Sequence, residues 1–211
     1  MEIIKQSHKI LTDLSNEYLL LGFIEYAGRT AYKSEDKITK DSANEFIRNL
    51  IKRGHESVLE HFNISVKFIT DRGVTHELVR HRLCAYTQES TRYCNYSKKG
   101  MTFIKPVFWE ENKERNIKRT NYDRWLDLIH DSENIYNSMI EDGATPQEAR
   151  SILPNSLKTE IICTTNVREW RYILKLRTAK IAHPQMRALM IPLLDELKGL
   201  LPVLFEDIKG E

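Results

Sequence analysis

The densest chemistry in this chain lies between Glu77 and Arg92, where guanidinium, imidazole, hydroxyl and amide groups crowd into sixteen positions. Arg80-His81-Arg82 is followed by five residues and then by Gln88-Glu89-Ser90-Thr91-Arg92. A guanidinium is a planar fork of donors that matches phosphate oxygens and carbonyl edges. Ser90, Thr91 and Arg92 place two hydroxyls and one such fork in a single short stretch, a suitable cradle for one phosphate. Arg150, Arg168 and Arg177 recur at helix ends or on helix faces, and Asn166 stands where a helix opens. The amides and positive dipole end at such an opening favour a second anion such as a pyrophosphate. Two anion sites imply a nucleotide plus a cofactor. The competing reading of the same residues is a solvated charged surface.

Other chemistries lack their residues. No GxxxxGK[ST], GxGxxG or HExxH run occurs, so a Walker cradle, a Rossmann turn and a helical zinc site are all absent. His55 and His61 fit no common zinc spacing, and no metal is expected. Cys84, Cys94 and Cys163 are odd in number and form no CxxC pair, which reads as reduced thiols. Cys84 and Cys163 fall in regular patterns where a packed thiol is the default, so covalent catalysis is not indicated.

The elements that must hold these groups follow from periodicity. Asp41 to Arg53 carries Phe46, Ile47, Leu50 and Ile51 at helical spacing, with Gly54 placed for a left-handed stop. His61 to Thr70 alternates Phe62, Ile64, Val66 and Phe68 as a half-buried strand does. A helix is predicted from about Arg72 to Cys84, running into the polar stretch 87–100. On its wheel Arg82 falls with Leu78, Val79 and Leu83 on the apolar arc, while His76, Glu77, Arg80 and His81 face the other way. Phe103 to Trp109 reads as a short strand or packed loop. A long amphipathic helix from about Asn121 to Glu141 follows, striped by Trp125, Ile129, Tyr136, Met139 and Ile140.

Thr145-Pro-Gln-Glu148 is a capping box opening a short helix from Pro146 to Leu153, which Pro154 ends. Leu157 to Thr165 alternates as a second strand, and Asn166-Val-Arg-Glu169 is a capping-box arrangement opening a helix to about Lys180. There Trp170, Ile173 and Leu174 define the buried arc, and Arg177 projects into it. A buried guanidinium demands a carboxylate, a set of carbonyls or a bound ligand. A last helix runs from roughly Pro184 to Phe205, kinked or shortened by Pro192 and Pro202. These elements predict a mixed α/β (α+β) fold, helices packed on a small sheet whose strand order is open.

With 211 residues, 41% of them hydrophobic, and no repeat or linker, the chain is expected to be a single domain over 1–211. No run approaches the roughly 20 apolar residues of a spanning helix. The start, MEIIKQSHKI, lacks signal-peptide order, so a cytoplasmic protein without membrane attachment is expected. Lys+Arg 32 against Asp+Glu 30 leaves +2, far from the basic balance of a duplex-binding protein, and no polymeric nucleic acid is expected as partner.

The run Arg80-His-Arg-Leu-Cys-Ala-Tyr-Thr-Gln-Glu-Ser90-Thr-Arg92-Tyr93 resembles the signature of the flavin-dependent thymidylate synthases, the thymidylate synthase-complementing protein family: RHR, seven residues, then S and R. The resemblance extends in order to Gly54-His-Glu-Ser-Val-Leu-Glu-His61, Ala149-Arg-Ser-Ile-Leu-Pro154, Thr165-Asn-Val-Arg168 and Leu176-Arg177. It implies that family's fold and a homotetramer binding FAD at subunit interfaces. It also implies a methyltransferase of dTMP biosynthesis that makes dTMP from dUMP with methylenetetrahydrofolate as carbon donor and NADPH as reductant.

Carried over, the resemblance implies cofactor binding by Ser57, Arg80, His81, Arg82, Gln88, Asn166, Val167, Arg168 and Tyr172. The nucleotide would lie against Glu77, Arg80, Gln88, Glu89, Ser90, Thr91, Arg92, Arg150 and Arg177. Arg177 and Ser90 are the catalytic positions it implies. The first stabilises charge on the uracil carbonyl and N3 edge, and the second is a substrate-positioning hydroxyl rather than a nucleophile. Glu77 stands where the family often has Gln, Ala85 replaces a common serine, Tyr172 takes a place of His or Asn, and His183 one of Gln. Glu77 keeps UMP or another pyrimidine monophosphate open as the substrate. A non-catalytic single-strand-binding module using Tyr86, Tyr93 and Tyr96 as stacking platforms is the reading from a different class.

Overall fold

The computed structural model describes residues 1–98, 100–109 and 119–210. In chain order the elements are β1 (Glu2–Ile4), β2 (Ser7–Ile10), α1 (Glu17–Thr30), α2 (Ser42–Lys52), β3 (Asn63–Asp71), α3 (Arg72–Leu78), β4 (Ala85–Gln88), β5 (Thr102–Ile104), α4 (Asn121–Glu141), α5 (Pro146–Ala149), β6 (Lys158–Asn166), α6 (Val167–Thr178), α7 (Pro184–Leu200) and α8 (Pro202–Phe205). Four strands form a sheet in the order β2-β3-β6-β4, and β1 pairs with β5 in a separate parallel ribbon with Ile3 opposite Phe103. The predicted mixed α/β class holds. Ser65 and Thr164 share a hydrogen bond of 2.8 Å, and the Val167 amide donates to the Phe62 carbonyl at 2.9 Å, so β3 and β6 run antiparallel.

The chain forms two compact units, each assembled from three stretches of sequence: Met1–Ser7, Phe68–Arg80 and Thr87–Ile161 in the first, His8–Lys67, His81–Tyr86 and Ile162–Glu211 in the second. In the first unit α4 begins at a reciprocal cap between Thr120 and Asp123. Its stripe of Trp125, Ile129 and Tyr136 packs on Met101, Phe103, Tyr122, Ala149 and Leu157, while Met139 and Ile140 are only partly buried. The Thr145 amide donates to the Glu148 carboxylate at 2.7 Å, completing the expected capping box. That helix is α-helical only to Ala149 and tightens into a 3-10 turn over Arg150–Ile152 before Pro154.

In the second unit Gly28 lets α1 lie against α2, because a Cβ there would sit 2.6 Å from the Phe46 ring. Gly54, at φ 72°, ends α2 in the left-handed conformation expected. Pro192 stays within α7, whereas Leu201 leaves helical geometry before Pro202, so the predicted last helix is two. Met186, Leu189, Met190, Leu193, Leu194 and Leu197 of α7 are buried, as are Trp170, Ile173 and Leu174 of α6. Among the described residues no helix is long and apolar enough to cross a membrane.

The helix expected from Arg72 to Cys84 stops at Leu78. Beyond it the chain turns, and the carbonyls a longer helix would have bonded internally are taken by side chains. Tyr86 Oη–H donates to the His81 carbonyl at 3.1 Å, and Thr165 Oγ1–H to the Leu83 carbonyl at 2.8 Å. The wheel drawn for Arg80, His81 and Arg82 therefore does not apply. His81, not Arg82, is the buried member, at 5% exposure, and Arg80, Arg82 and Leu83 are exposed.

Candidate active site

In the second unit the imidazole of His81 is the hub of a polar cluster. Its Nε2 accepts a hydrogen bond from Arg177 Nε–H at 3.0 Å, and its Nδ1 lies 3.6 Å from Glu169 Oε1. Tyr172 meets the ring edge-on, centroids 6.0 Å apart and planes at 73°. Three of these residues come from one helix, α6, whose start is fixed by Asn166: its side chain accepts from the Glu169 amide at 2.9 Å. The capping box expected there is thus a single-sided cap. Positions 169, 172 and 177 then present Glu, Tyr and Arg to the turn that carries His81.

Burial, and next the positive charge of Arg177, hold the His81 imidazole down to about 4. It is neutral near pH 7, with Nε2 as acceptor and the proton on Nδ1. Since the folded value lies below the unfolded one of about 6.5, this group contributes stability above the unfolded value and loses it as pH falls toward the folded value. We expect the urea midpoint to drop between pH 7 and pH 4, His81 accounting for about 3 kcal/mol at most. A His81→Gln variant should show a flatter dependence in that window.

Beside this cluster is a cavity of about 660 Å³ lined by Glu56, Glu60, Leu83, Asn166, Arg168, Glu169, Tyr172 and Lys175. Tyr172 and Leu83 are 57% and 74% exposed and give it apolar surface. Arg168 and Lys175 bring positive charge to a wall that also holds three glutamates. Glu60 pairs with Arg168 at 2.5 Å, with both side chains about half exposed. Such a surface pair is worth little and exchanges readily for a phosphate. In the first turn of α6 the Val167 amide goes to Phe62 and the Glu169 amide to Asn166; among the described residues the Arg168 amide has no such partner.

The first unit holds the other expected group. Gln88 Nε2 donates to Thr75 Oγ1 at 3.0 Å and to Thr159 Oγ1 at 3.2 Å, anchoring the end of β4. The loop then turns at Ser90, whose carbonyl accepts the Tyr93 and Cys94 amides, while its Oγ accepts the Arg92 amide at 3.3 Å. Thr91 is buried, and Arg92 bonds Gln147 at 3.1 Å and lies over the Tyr93 ring. Glu89 is held by Lys158 at 3.1 Å and by Tyr96 Oη–H at 3.0 Å. Arg150 is exposed and Glu77 half-buried, as is Arg177 in the second unit; Ser57 is exposed in the 3-10 turn Glu56–His61. Lys99 of the polar stretch lies outside the described residues.

Two residues of the second unit escaped the sequence reading. The deeply buried arginine of α6 is Arg171, at 1% exposure, rather than Arg177. Arg171 bonds Asp207 through both terminal nitrogens at 2.7 Å, the Leu204 carbonyl, and Glu56 at 3.3 Å, the carboxylate and carbonyl partners that a buried guanidinium demands. Glu169, read only as a capping position, is the buried carboxylate beside His81. Cys163 is a buried thiol as expected. Its hydrogen bond to Cys84 lowers the Cys84 pKa and raises its own.

The sequence profile of the family described as thymidylate synthase complementing protein matches residues 21–203. A flavin-dependent thymidylate synthase of Geobacter sulfurreducens is 31% identical over 87% of this chain and 80% of its own length. One from Pyrococcus furiosus is 32% identical over 82% of this chain and 70% of its own. A crystal structure of thymidylate synthase X from Helicobacter pylori with FAD and dUMP superposes with a TM-score of 0.74 at 25% identity, covering 96% of this chain and 98% of that one. A UMP/dUMP methylase, PolB, from Streptomyces cacaoi shares the fold with a TM-score of 0.76 at 22% identity, covering 98% and 96%.

Proposed function

Because the chain belongs to the thymidylate synthase complementing protein family, the flavin-dependent thymidylate synthases, we infer that it converts dUMP to dTMP with FAD as cofactor, methylenetetrahydrofolate as carbon donor and NADPH as reductant. The observation that carries this reading is the cavity at the start of α6, bordered by the His81, Glu169 and Tyr172 cluster.

The donor set there fits a flavin dinucleotide. A helix start with an available amide and the Arg168 fork suit a pyrophosphate, and the exposed faces of Tyr172 and Leu83 suit an aromatic ring. Asn166, Val167, Arg168, Tyr172, His81, Ser57, Arg80, Arg82 and Gln88 are the residues we assign to holding it. FAD, when bound, supplies the hydride chemistry that the side chains lack. Arg177 places a guanidinium on the uracil carbonyl and N3 edge and stabilises negative charge there. The Ser90 and Thr91 hydroxyls with the Arg92 and Arg150 guanidinium groups hold the monophosphate, with Glu77, Arg80, Gln88 and Glu89 completing the nucleotide contacts. Ser90 positions substrate by hydrogen bonding and forms no covalent bond to it.

The assembly we propose is a homotetramer in the cytoplasm. Leu83, Tyr172, Leu176 and Ile181 of the second unit are exposed apolar groups, 94% in the case of Ile181, as a subunit interface requires. Light scattering on the purified protein tests it.

Purified protein supplied with FAD, methylenetetrahydrofolate and NADPH is expected to be yellow and to form dTMP from dUMP. UMP run in parallel reads the effect of Glu77 on the ribose preference. A colourless protein that gains no flavin spectrum on mixing with FAD overturns the assignment. Arg168→Ala should weaken FAD binding about tenfold, the worth of one charge-assisted contact, and leave kcat near wild type at saturating FAD. Unchanged FAD affinity in a fluorescence titration removes Arg168 from that role.

A further inference from the structure

Glu169 is the buried glutamate of the cavity lining, and among the described residues no ion pair with a lysine or arginine accounts for it. Glu56 serves the Arg171 ion pair and Glu60 pairs with Arg168. Glu169 is 9% exposed, and burial lifts its carboxyl above the ordinary glutamate range. Among the described residues its carboxylate bonds no lysine or arginine; it lies 3.6 Å from the His81 ring and within electrostatic reach of the Cys84 and Cys163 thiols. A buried acid next to a phosphate-binding helix start costs free energy twice, through desolvation and through repulsion of the ligand. Its retention there needs a compensating task.

The geometry around His81 identifies that task. Arginine can only donate, so the Arg177 Nε–H bond at 3.0 Å requires an unprotonated Nε2. The ring is neutral, and its one proton must sit on Nδ1, the nitrogen facing Glu169 Oε1 at 3.6 Å. That spacing is longer than a hydrogen bond, but an acceptor there still favours an N–H dipole pointing at it over a lone pair. In the opposite tautomer the Nε2–H would oppose Arg177 Nε–H, donor against donor, and a lone pair would face the carboxylate. Tyr172 against the ring edge, and the Tyr86 hydroxyl on the His81 carbonyl, restrict the ring and backbone from turning away.

We propose that Glu169 is a positioning residue: it holds His81 in the Nδ1–H tautomer whose Nε2 receives Arg177, and so fixes the guanidinium that acts on the pyrimidine. The chain Glu169, His81, Arg177 has the logic of an acid orienting an imidazole that orients a reacting group. The role rests on the function proposed above for Arg177, but the tautomer itself does not.

The test uses the full-length holoenzyme labelled with 15N-histidine, the His81 signals being assigned by their loss in His81→Gln. Wild type should show a protonated Nδ1 and an unprotonated Nε2. Glu169→Leu should shift His81 toward the Nε2–H form. It should also lower kcat about tenfold or more, since a misplaced reacting group has that order of effect. KM for dUMP should stay within about threefold of wild type, and FAD should bind at least as tightly, the repelling carboxylate being gone. Glu169→Gln, nearly isosteric and still offering an oxygen, should recover most of kcat and the wild-type tautomer. If Glu169→Leu does not fold, Glu169→Asp, one methylene shorter, should show the same tautomer shift in smaller measure. A His81 tautomer that does not respond to these changes overturns the proposal, as does a shifted tautomer with kcat unchanged. Should wild type show the tautomer and its response yet make no dTMP, the function assigned to Arg177 fails while the Glu169 to His81 arrangement stands.

Discussion

Replacing Arg177 with alanine lowers kcat for dTMP formation by about 10²- to 10³-fold, the loss seen when a donor to developing negative charge is removed, while FAD affinity changes by less than about threefold. The separation of the two readouts follows from position. Arg177 is in the last turn of α6, paired with His81, whereas the groups assigned to the pyrophosphate are in the first turn. Arg177→Lys should rescue little, because an ammonium has the charge but not the planar fork that addresses a carbonyl and a ring nitrogen together. A second signature is independent of turnover. Arg177 is one of two causes depressing His81, and burial, the larger, remains in the variant. His81 should therefore titrate above about 4 in Arg177→Ala yet below the free value of about 6.5. Steady-state kinetics, a flavin titration and histidine NMR check the three statements. An alanine variant within about threefold of wild-type kcat removes Arg177 from catalysis.

Arg171→Ala costs about 3 kcal/mol of stability, the order expected when one partner of a buried ion pair is deleted. The guanidinium is 1% exposed and bridges Asp207, the Leu204 carbonyl and Glu56, tying α6 to the end of α8 and to the 3-10 turn Glu56–His61. Its removal leaves two carboxylates and a carbonyl without their donor and opens a void where a side chain of 1% exposure had been. For a chain of this length that corresponds to a fall in melting temperature of about 6–12 °C. Arg171→Met fills the space without the charge and should cost less. Asp207 adds an acid signature. Burial alone would raise its carboxyl, but the hydrogen bond and charge of Arg171 outweigh that and hold it below the ordinary range. This contribution is present above the unfolded aspartate value and lost as pH falls through the lower folded one. A calorimetric melting temperature unchanged in Arg171→Ala contradicts the account.

Several elements were legible because their signals are local. The capping box at Thr145 and Glu148, the stop at Gly54, the amphipathic helix from Asn121 to Glu141 and the alternation of Ile64, Val66 and Phe68 each depend on residues within a turn or two of one another. β1 and β2, three and four residues long, carry no readable period, and their place in the fold comes from strands far along the chain. The end of α3 is illegible in the sequence for the same reason. Nothing between Arg72 and Cys84 forbids a helix, and the hydroxyls of Tyr86 and Thr165 that capture its would-be carbonyls act across the turn and from β6.

The sequence by itself determined the chemical inventory: which arginines, hydroxyls and imidazoles exist, and through the RHR and Ser-Thr-Arg run, the family to which they belong. Only the tertiary structure decided which of them are buried and whom they meet. A helical wheel ranks positions on one helix against an ideal arc, but burial is set by the partner packed on it. Asp207, thirty-six residues away, makes Arg171 the interior arginine, and the turn after α3 delivers His81 to Arg177 and Glu169. Charges interact through space at distances of a few ångströms, and no spacing along the chain encodes that proximity.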